Sequence, residues 1–159
     1  MTEITEHLRD IVERVARAAS LASHAKSVTI VAVSKQKTSA DIAEAFRAGQ
    51  RDFGESYAQE GVQKIEALRG LDIVWHFIGA LQTNKTRIVA ENFQWVHTID
   101  RAKIAARLNE QRPHFAPPLN VLIQVNQARE PQKSGVCEDE ILPLARIHCR
   151  MKRSANVEI

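Results

Sequence analysis

The sequence predicts an α/β protein of the (β/α)8 barrel (TIM-barrel) type, with about five βα units and an extra helix at the N-terminus. Three observations carry that prediction. Strand-like segments begin near residues 28, 52, 73, 93 and 119, and one helical segment separates each from the next. No hairpin signal such as Asn-Gly lies between them, so crossovers must join the strands and the sheet must be parallel. The turn after the first strand reads Ser34-Lys35-Gln36-Lys37-Thr38, without glycine. A doubly wound dinucleotide fold would carry a glycine-rich turn there, so the barrel is favoured.

Each element has a local reason. Ile4, Leu8, Ile11, Val15 and Ala19 recur at three- and four-residue steps between charged residues, which predicts an amphipathic helix ending before Lys26. Val28 to Val33 is a continuous apolar run, as a strand covered on both faces requires. Thr38 and Asp41 form a capping box for a helix through Ile42, Ala45 and Phe46 that stops at Gly49. A second strand fits Asp52 to Ser56, with a helix through Val62, Ile65 and Leu68 and a stop at Gly70. A third strand fits Ile73 to Gly79, followed by a helix over Thr86 to Glu91. A fourth strand fits Phe93 to Ile99, and Asp100 is expected to cap a helix through Ile104 and Leu108. Pro113, Pro117 and Pro118 end that helix, and Leu119 to Val125 is the fifth strand.

These elements use 136 residues, where a whole barrel needs roughly 200. The expected organisation is a single, incomplete barrel domain over 1–159. It comprises an N-terminal helix within 1–25, five βα units over 28–136, and an atypical tail over 137–159. In that tail Pro143 interrupts the helix begun at Glu138, and Ala145 to Ile159 offers no strand-like run.

Composition narrows the function. Aromatics are only 5% of the chain, so the core is mainly aliphatic. The net charge of +3 is spread along the chain, without the clustered basic face of a nucleic-acid binder. Cys137 and Cys149 form neither a disulfide framework nor a zinc pattern, and no metal site is expected. Residues 1–20 mix acids and arginines, unlike a secretory signal, and no apolar run is long enough to span a bilayer. A cytoplasmic location is expected.

Lys35 shares the parity of Thr29, Val31 and Val33, so one face of the first strand ends in an amine. Barrel active sites lie at the C-terminal ends of the strands. Only a neutral amine attacks a carbonyl, and Lys37 is the neighbouring cation that would favour it. Spacing alone leaves two readings open, a solvated loop lysine and a Schiff-base lysine at the barrel mouth.

The blocks Ala32-Val33-Ser34-Lys35, Ala48-Gly49-Gln50-Arg51-Asp52-Phe53-Gly54-Glu55-Ser56-Tyr57 with Gln59-Glu60, and Trp75-His76-Phe77-Ile78-Gly79 occur in that order. Leu81-Gln82-Thr83-Asn84-Lys85, His97-Thr98-Ile99-Asp100, Leu119-Asn120-Val121-Leu122-Ile123-Gln124-Val125-Asn126 and Lys133-Ser134-Gly135-Val136 follow. Together they resemble the pyridoxal phosphate homeostasis protein family over about residues 5–136.

The resemblance implies an alanine-racemase-like barrel with pyridoxal 5′-phosphate (PLP) held as a Schiff base on Lys35. Ser56 lies beside the cofactor, where the family usually has asparagine. A carrier or homeostasis role is implied, with PLP-dependent apoenzymes as recipients and a monomeric full-length form. No nucleic-acid or membrane partner is implied. True alanine racemases add a second domain with a catalytic tyrosine; this chain has one tyrosine, Tyr57, so it is not expected to be a racemase. His76 fits either the ring of the cofactor or a satisfied core position. Asn84 and Lys85 fit a helix start, and Lys133 fits a solvated loop or a secondary acceptor for the aldehyde.

The family pattern stops soon after Gly135. Three further βα units, with the phosphate-binding serine, the glycine-rich segments and an arginine facing the pyridine nitrogen, would follow in a matching chain. The expectation is a truncated chain with weak or absent PLP affinity. The competing readings are a Schiff-base lyase or aldolase using Lys35 with Glu55 nearby, and a non-functional fragment.

Overall fold

The computed structural model describes residues 2–22, 28–149 and 154–158. Its elements alternate: α1 (Glu3–Leu21), β1 (Val31–Val33), α2 (Ser39–Arg47), β2 (Asp52–Glu55), α3 (Ala58–Ala67) and β3 (Val74–Phe77) come first. A 3-10 turn (Thr83–Lys85) leads into α4 (Thr86–Asn92), then β4 (Trp95–Ile99), α5 (Ala102–Gln111), β5 (Leu119–Ile123), α6 (Glu138–Cys149) and β6 (Ser154–Glu158). The run 23–27, where the first helix was expected to give way, lies outside the described residues.

Local chemistry sets the boundaries. At α2 the Asp41 backbone N–H donates to the Thr38 hydroxyl at 3.2 Å, and the Thr38 N–H donates to the Asp41 carboxylate at 2.8 Å. That reciprocal cap satisfies two otherwise orphaned donors. Gly49 follows the helix at φ +107°, a left-handed conformation that favours glycine. At α5 the expected cap fails: Arg101 occupies the N-cap position without a side-chain bond, and Asp100 accepts from the Arg101 guanidinium at 2.6 Å. The adjacent cation takes the carboxylate away from the helix N–H groups.

The strands are parallel and lie in chain order, β1-β2-β3-β4-β5-β6. A doubly wound sheet reverses its order at a switch point. Here each strand adds beside its predecessor, which is the winding of a barrel wall.

The tail departs from expectation. α6 runs through Pro143, and β6 pairs parallel with β5, so the alternation continues to a sixth strand. The start of α6 is well provided for: the Cys137 N–H donates to the Glu140 carboxylate at 3.0 Å, and Glu138, Asp139 and Glu140 complement the positive helix end. Leu144 is buried, with Ile141 and Ala145 packed against the core. Burial of that face outweighs the hydrogen bond Pro143 lacks.

The core lies between sheet and helices. Phe53, Trp75, Phe77, Val96, Ile99, Leu119, Val121 and Ile123 meet Ile42, Val89, Phe93, Ile104 and Leu108, all buried. Each such side chain contributes about 1.5–3 kcal/mol. Arg112 closes this layer from below. Its buried guanidinium donates to the carbonyls of Ala90 (2.7 Å), Phe93 (2.7 Å) and Pro117 (2.8 Å). Replacing it leaves those acceptors short of donors, so Arg112→Leu is expected to lower unfolding stability by about 2–4 kcal/mol. Arg87→Leu, at an exposed pair with Glu91, should stay within about 0.5 kcal/mol of the parent. Urea denaturation of the two variants checks the contrast.

Candidate cofactor site at the strand ends

Alternation along the strands puts Val31, Val33, Asp52, Gly54, Val74, His76, Trp95 and His97 on the face opposite the helices. That face is mixed in polarity and only partly covered; Val33 is 53% exposed. Lys35 follows β1 on the same parity and is exposed. The register ends by pairing Val33 with Gly54, and Lys35 and Ser56 each lie two residues beyond that pair, past the ends of neighbouring strands. Ser56 is half-buried, and its carbonyl sits so close to Gly79 that a Cβ there would lie 2.1 Å away. Only glycine permits the third strand end to press against the second.

Both neighbours of Lys35 are tied down. The Ser34 N–H donates to the Gly54 carbonyl at 2.9 Å, and its hydroxyl donates to Glu55 Oε1 at 2.6 Å. The Lys64 ammonium, on α3, donates to the Ser34 carbonyl (2.6 Å), to Glu55 (2.7 Å) and to Glu60 (2.7 Å). Glu60 also accepts from the Gln36 backbone N–H at 2.7 Å, and those two bonds, Lys64 first, hold its carboxyl below the usual carboxylate range. Gln36 is left-handed at φ +61°, a conformation costing a non-glycine residue about 1–2 kcal/mol. Lys35 itself has no ion-pair partner among the described residues.

The other candidates fall elsewhere. Glu55 shares the buried, helix-facing side with Phe53, so it is not a carboxylate beside Lys35. Lys37 lines a hollow with Ala32, Val33, Ser34 and Asp41. Lys85 borders a hollow with Ser56, Tyr57 and Gly79, while Asn84 is exposed. Lys133 pairs with Glu130 at 2.6 Å on the rim of a cleft of about 610 Å³ lined also by His97, Gln124 and Asn126.

His76 is a satisfied interior histidine. Its Nε2 meets Asp52 Oδ1 at 2.9 Å, its Nδ1 meets His97 Nε2 at 2.9 Å, and Trp95 stacks on its ring at 5.6 Å. An ionised carboxylate only accepts, so His76 Nε2 carries the proton; neutral His76 then accepts from His97 Nε2–H. Burial lowers the pKa of both rings, with Asp52 partly opposing at His76 and His76 adding to the lowering at His97.

A family profile described as "Alanine racemase, N-terminal domain" matches residues 7–159. The pyridoxal phosphate homeostasis protein of Pasteurella multocida (strain Pm70) is 51% identical over 146 residues, covering 90% of this chain and 63% of that protein. The chain belongs to the pyridoxal phosphate homeostasis protein family. It spans just under two thirds of the length of that relative. Among solved structures, PipY of Synechococcus elongatus PCC7942 with PLP bound superposes with a TM-score of 0.74 at 34% identity, over 94% of this chain and 67% of PipY. Alanine racemase of Corynebacterium glutamicum superposes at 0.64 with 15% identity, over 98% of this chain and 41% of its own, which establishes the shared barrel fold.

The sequence reading of this homeostasis-family member missed Lys64 and Glu60. Their spacing of four on one helix was the available signal, but nothing local showed that Lys64 points inward.

The histidine pair sets a pH dependence. Both rings have folded pKa values below the ordinary 6.5, so their stabilisation is complete above about 6.5 and is lost as pH falls through the lower folded values. Below about 4.5, protonation of Glu60 adds a second loss. Unfolding free energy measured in urea should therefore decline on acidification in two windows. His97→Asn should flatten the upper one.

Proposed function

We propose that this chain binds PLP through a Schiff base on Lys35, with the Ser56 hydroxyl beside the cofactor, and that it serves PLP homeostasis as a carrier. The observation that carries the reading is the exposed Lys35 amine, without an ion-pair partner among the described residues, at the C-terminal end of β1. An aldehyde needs such an amine, and Ser56, just past the end of the neighbouring strand, offers a donor and acceptor, so the residues present fit the reactive end of the group. The bound cofactor supplies an electrophilic carbonyl. The chain's own part is to hold Lys35 in place from both sides and to present it on the open face of the sheet.

Residues 1–159 serve in this reading as one domain, the lysine-bearing part of a barrel whose remaining strands close the sheet and complete the phosphate site. PLP-dependent apoenzymes are the recipients, the full-length form is monomeric, and the location is cytoplasmic. None of the described helices is long and apolar enough to cross a membrane. A carrier role is supported by the homeostasis naming of the relatives and by the engagement of Glu55 with Lys64 and Ser34. A lyase or aldolase would need a carboxylate beside Lys35, and Glu55 faces the helices.

Borohydride reduction in the presence of PLP should label Lys35 ahead of Lys37, Lys85 and Lys133, and Lys35→Ala should remove most of the label. Even labelling of the four lysines by peptide mapping overturns the assignment. Incubation with L-alanine and PLP should yield no D-alanine; Lys35-dependent formation of it would overturn the carrier reading.

A further inference from the structure

Lys35 and Lys37 stand two residues apart in one exposed turn, so exposure alone would let an aldehyde choose either. The backbone that carries them is held at several points; beyond Lys37 the Thr38 N–H donates to Asp41. Ser34 is fixed from its N–H to Gly54, from its hydroxyl to Glu55, and at its carbonyl by the Lys64 ammonium and the Lys37 N–H, which closes the turn at 3.0 Å. Gln36 is left-handed, and its N–H is bound by Glu60. The same Glu60 oxygen accepts from Lys64, which joins the two anchors into one ionic cluster behind the turn. Lys64 is 6% exposed and Glu55 0%, so the cluster is built into the fold and does not rest on surface pairing.

We propose that Glu60, tied to Glu55 through Lys64, is a positioning residue that fixes the backbone on both sides of Lys35 and thereby directs carbonyl capture to Lys35 over Lys37. The proposal rests on the reading of Lys35 as the carbonyl-binding lysine. Glu60 acts through the Gln36 N–H and touches neither amine that competes. Without it, Gln36 loses its own N–H bond while in a conformation few residues adopt unaided, and the turn is left to the Lys37 N–H bond to the Ser34 carbonyl.

The test uses Glu60→Ala and Glu60→Gln in the full chain. Gln36 amide hydrogen exchange, read without any ligand, should quicken by about tenfold in Glu60→Ala, the factor corresponding to loss of one net hydrogen bond. After treatment with PLP and borohydride, the Lys35 to Lys37 labelling ratio, taken on folded protein, should fall by about tenfold in Glu60→Ala. Glu60→Gln keeps an oxygen for the Gln36 N–H and should restore both readouts, which a merely stabilising role would not link to labelling choice. Unchanged exchange, or an unchanged ratio in Glu60→Ala beside a selective parent, overturns the positioning role alone. An unselective parent removes the reading of Lys35, and this proposal with it.

Discussion

Glu55 carries a carboxylate into a place with no exposed surface, and such a charge is tolerated only when a cation and hydrogen-bond donors meet it. Lys64 and Ser34 do so at 2.7 and 2.6 Å. Losing one partner of a buried pair costs about 3–5 kcal/mol, so the pairing constrains everything near it. It fixes how α3 lies on the sheet, which requires Gly61: a Cβ there would stand 2.7 Å from the Phe93 ring and 3.3 Å from the Glu55 Cβ. It also fixes the course of the turn after β1. The placing of Lys35 follows from a charge buried on the opposite face of the sheet.

The two faces divide the labour. The helix side is apolar and closely filled, with edge-to-face contact between Phe77 and Phe93 at 5.5 Å, and it carries the cohesion of the domain. The other side is lined with Asp52, His76, Trp95 and His97, where His76 bonds Asp52 and His97 and stacks with Trp95. Parallel strands added in chain order keep all their C-terminal ends on one rim. Residues distant in sequence, such as Lys35, Ser56, His97 and Asn126, therefore reach the same edge of the sheet.

What could be read from the sequence was what local chemistry decides. Thr38 with Asp41, and the stops at Gly49 and Gly70, depend on residues within one turn, and these stand as read. The strand–helix alternation and the absence of a glycine-rich first turn sufficed for the barrel. Longer-range contacts were not legible. The orientation of Glu55 was uncertain after Gly54, and the register with β3 decides it. Pro143 broke a local rule that burial of Leu144 overrides, and Ser154–Glu158 becomes a strand by pairing with β5. Lys35 and Ser56 were singled out by resemblance, and the register places each two residues past the Val33–Gly54 pair.

The chain has two tryptophans, and the fold assigns one to each side of the wall. Trp75 is buried among the helix-side residues, with Phe53 at 6.1 Å, whereas Trp95 lies on the other face in stacked contact with His76. An imidazolium quenches indole emission more strongly than a neutral ring does. Trp95 is thus an intrinsic optical reporter of proton uptake on the open face, and Trp75 is a spectrally distinct witness to the integrity of the core. Fluorescence of single-tryptophan variants would separate events on the two sides of one sheet without any added dye.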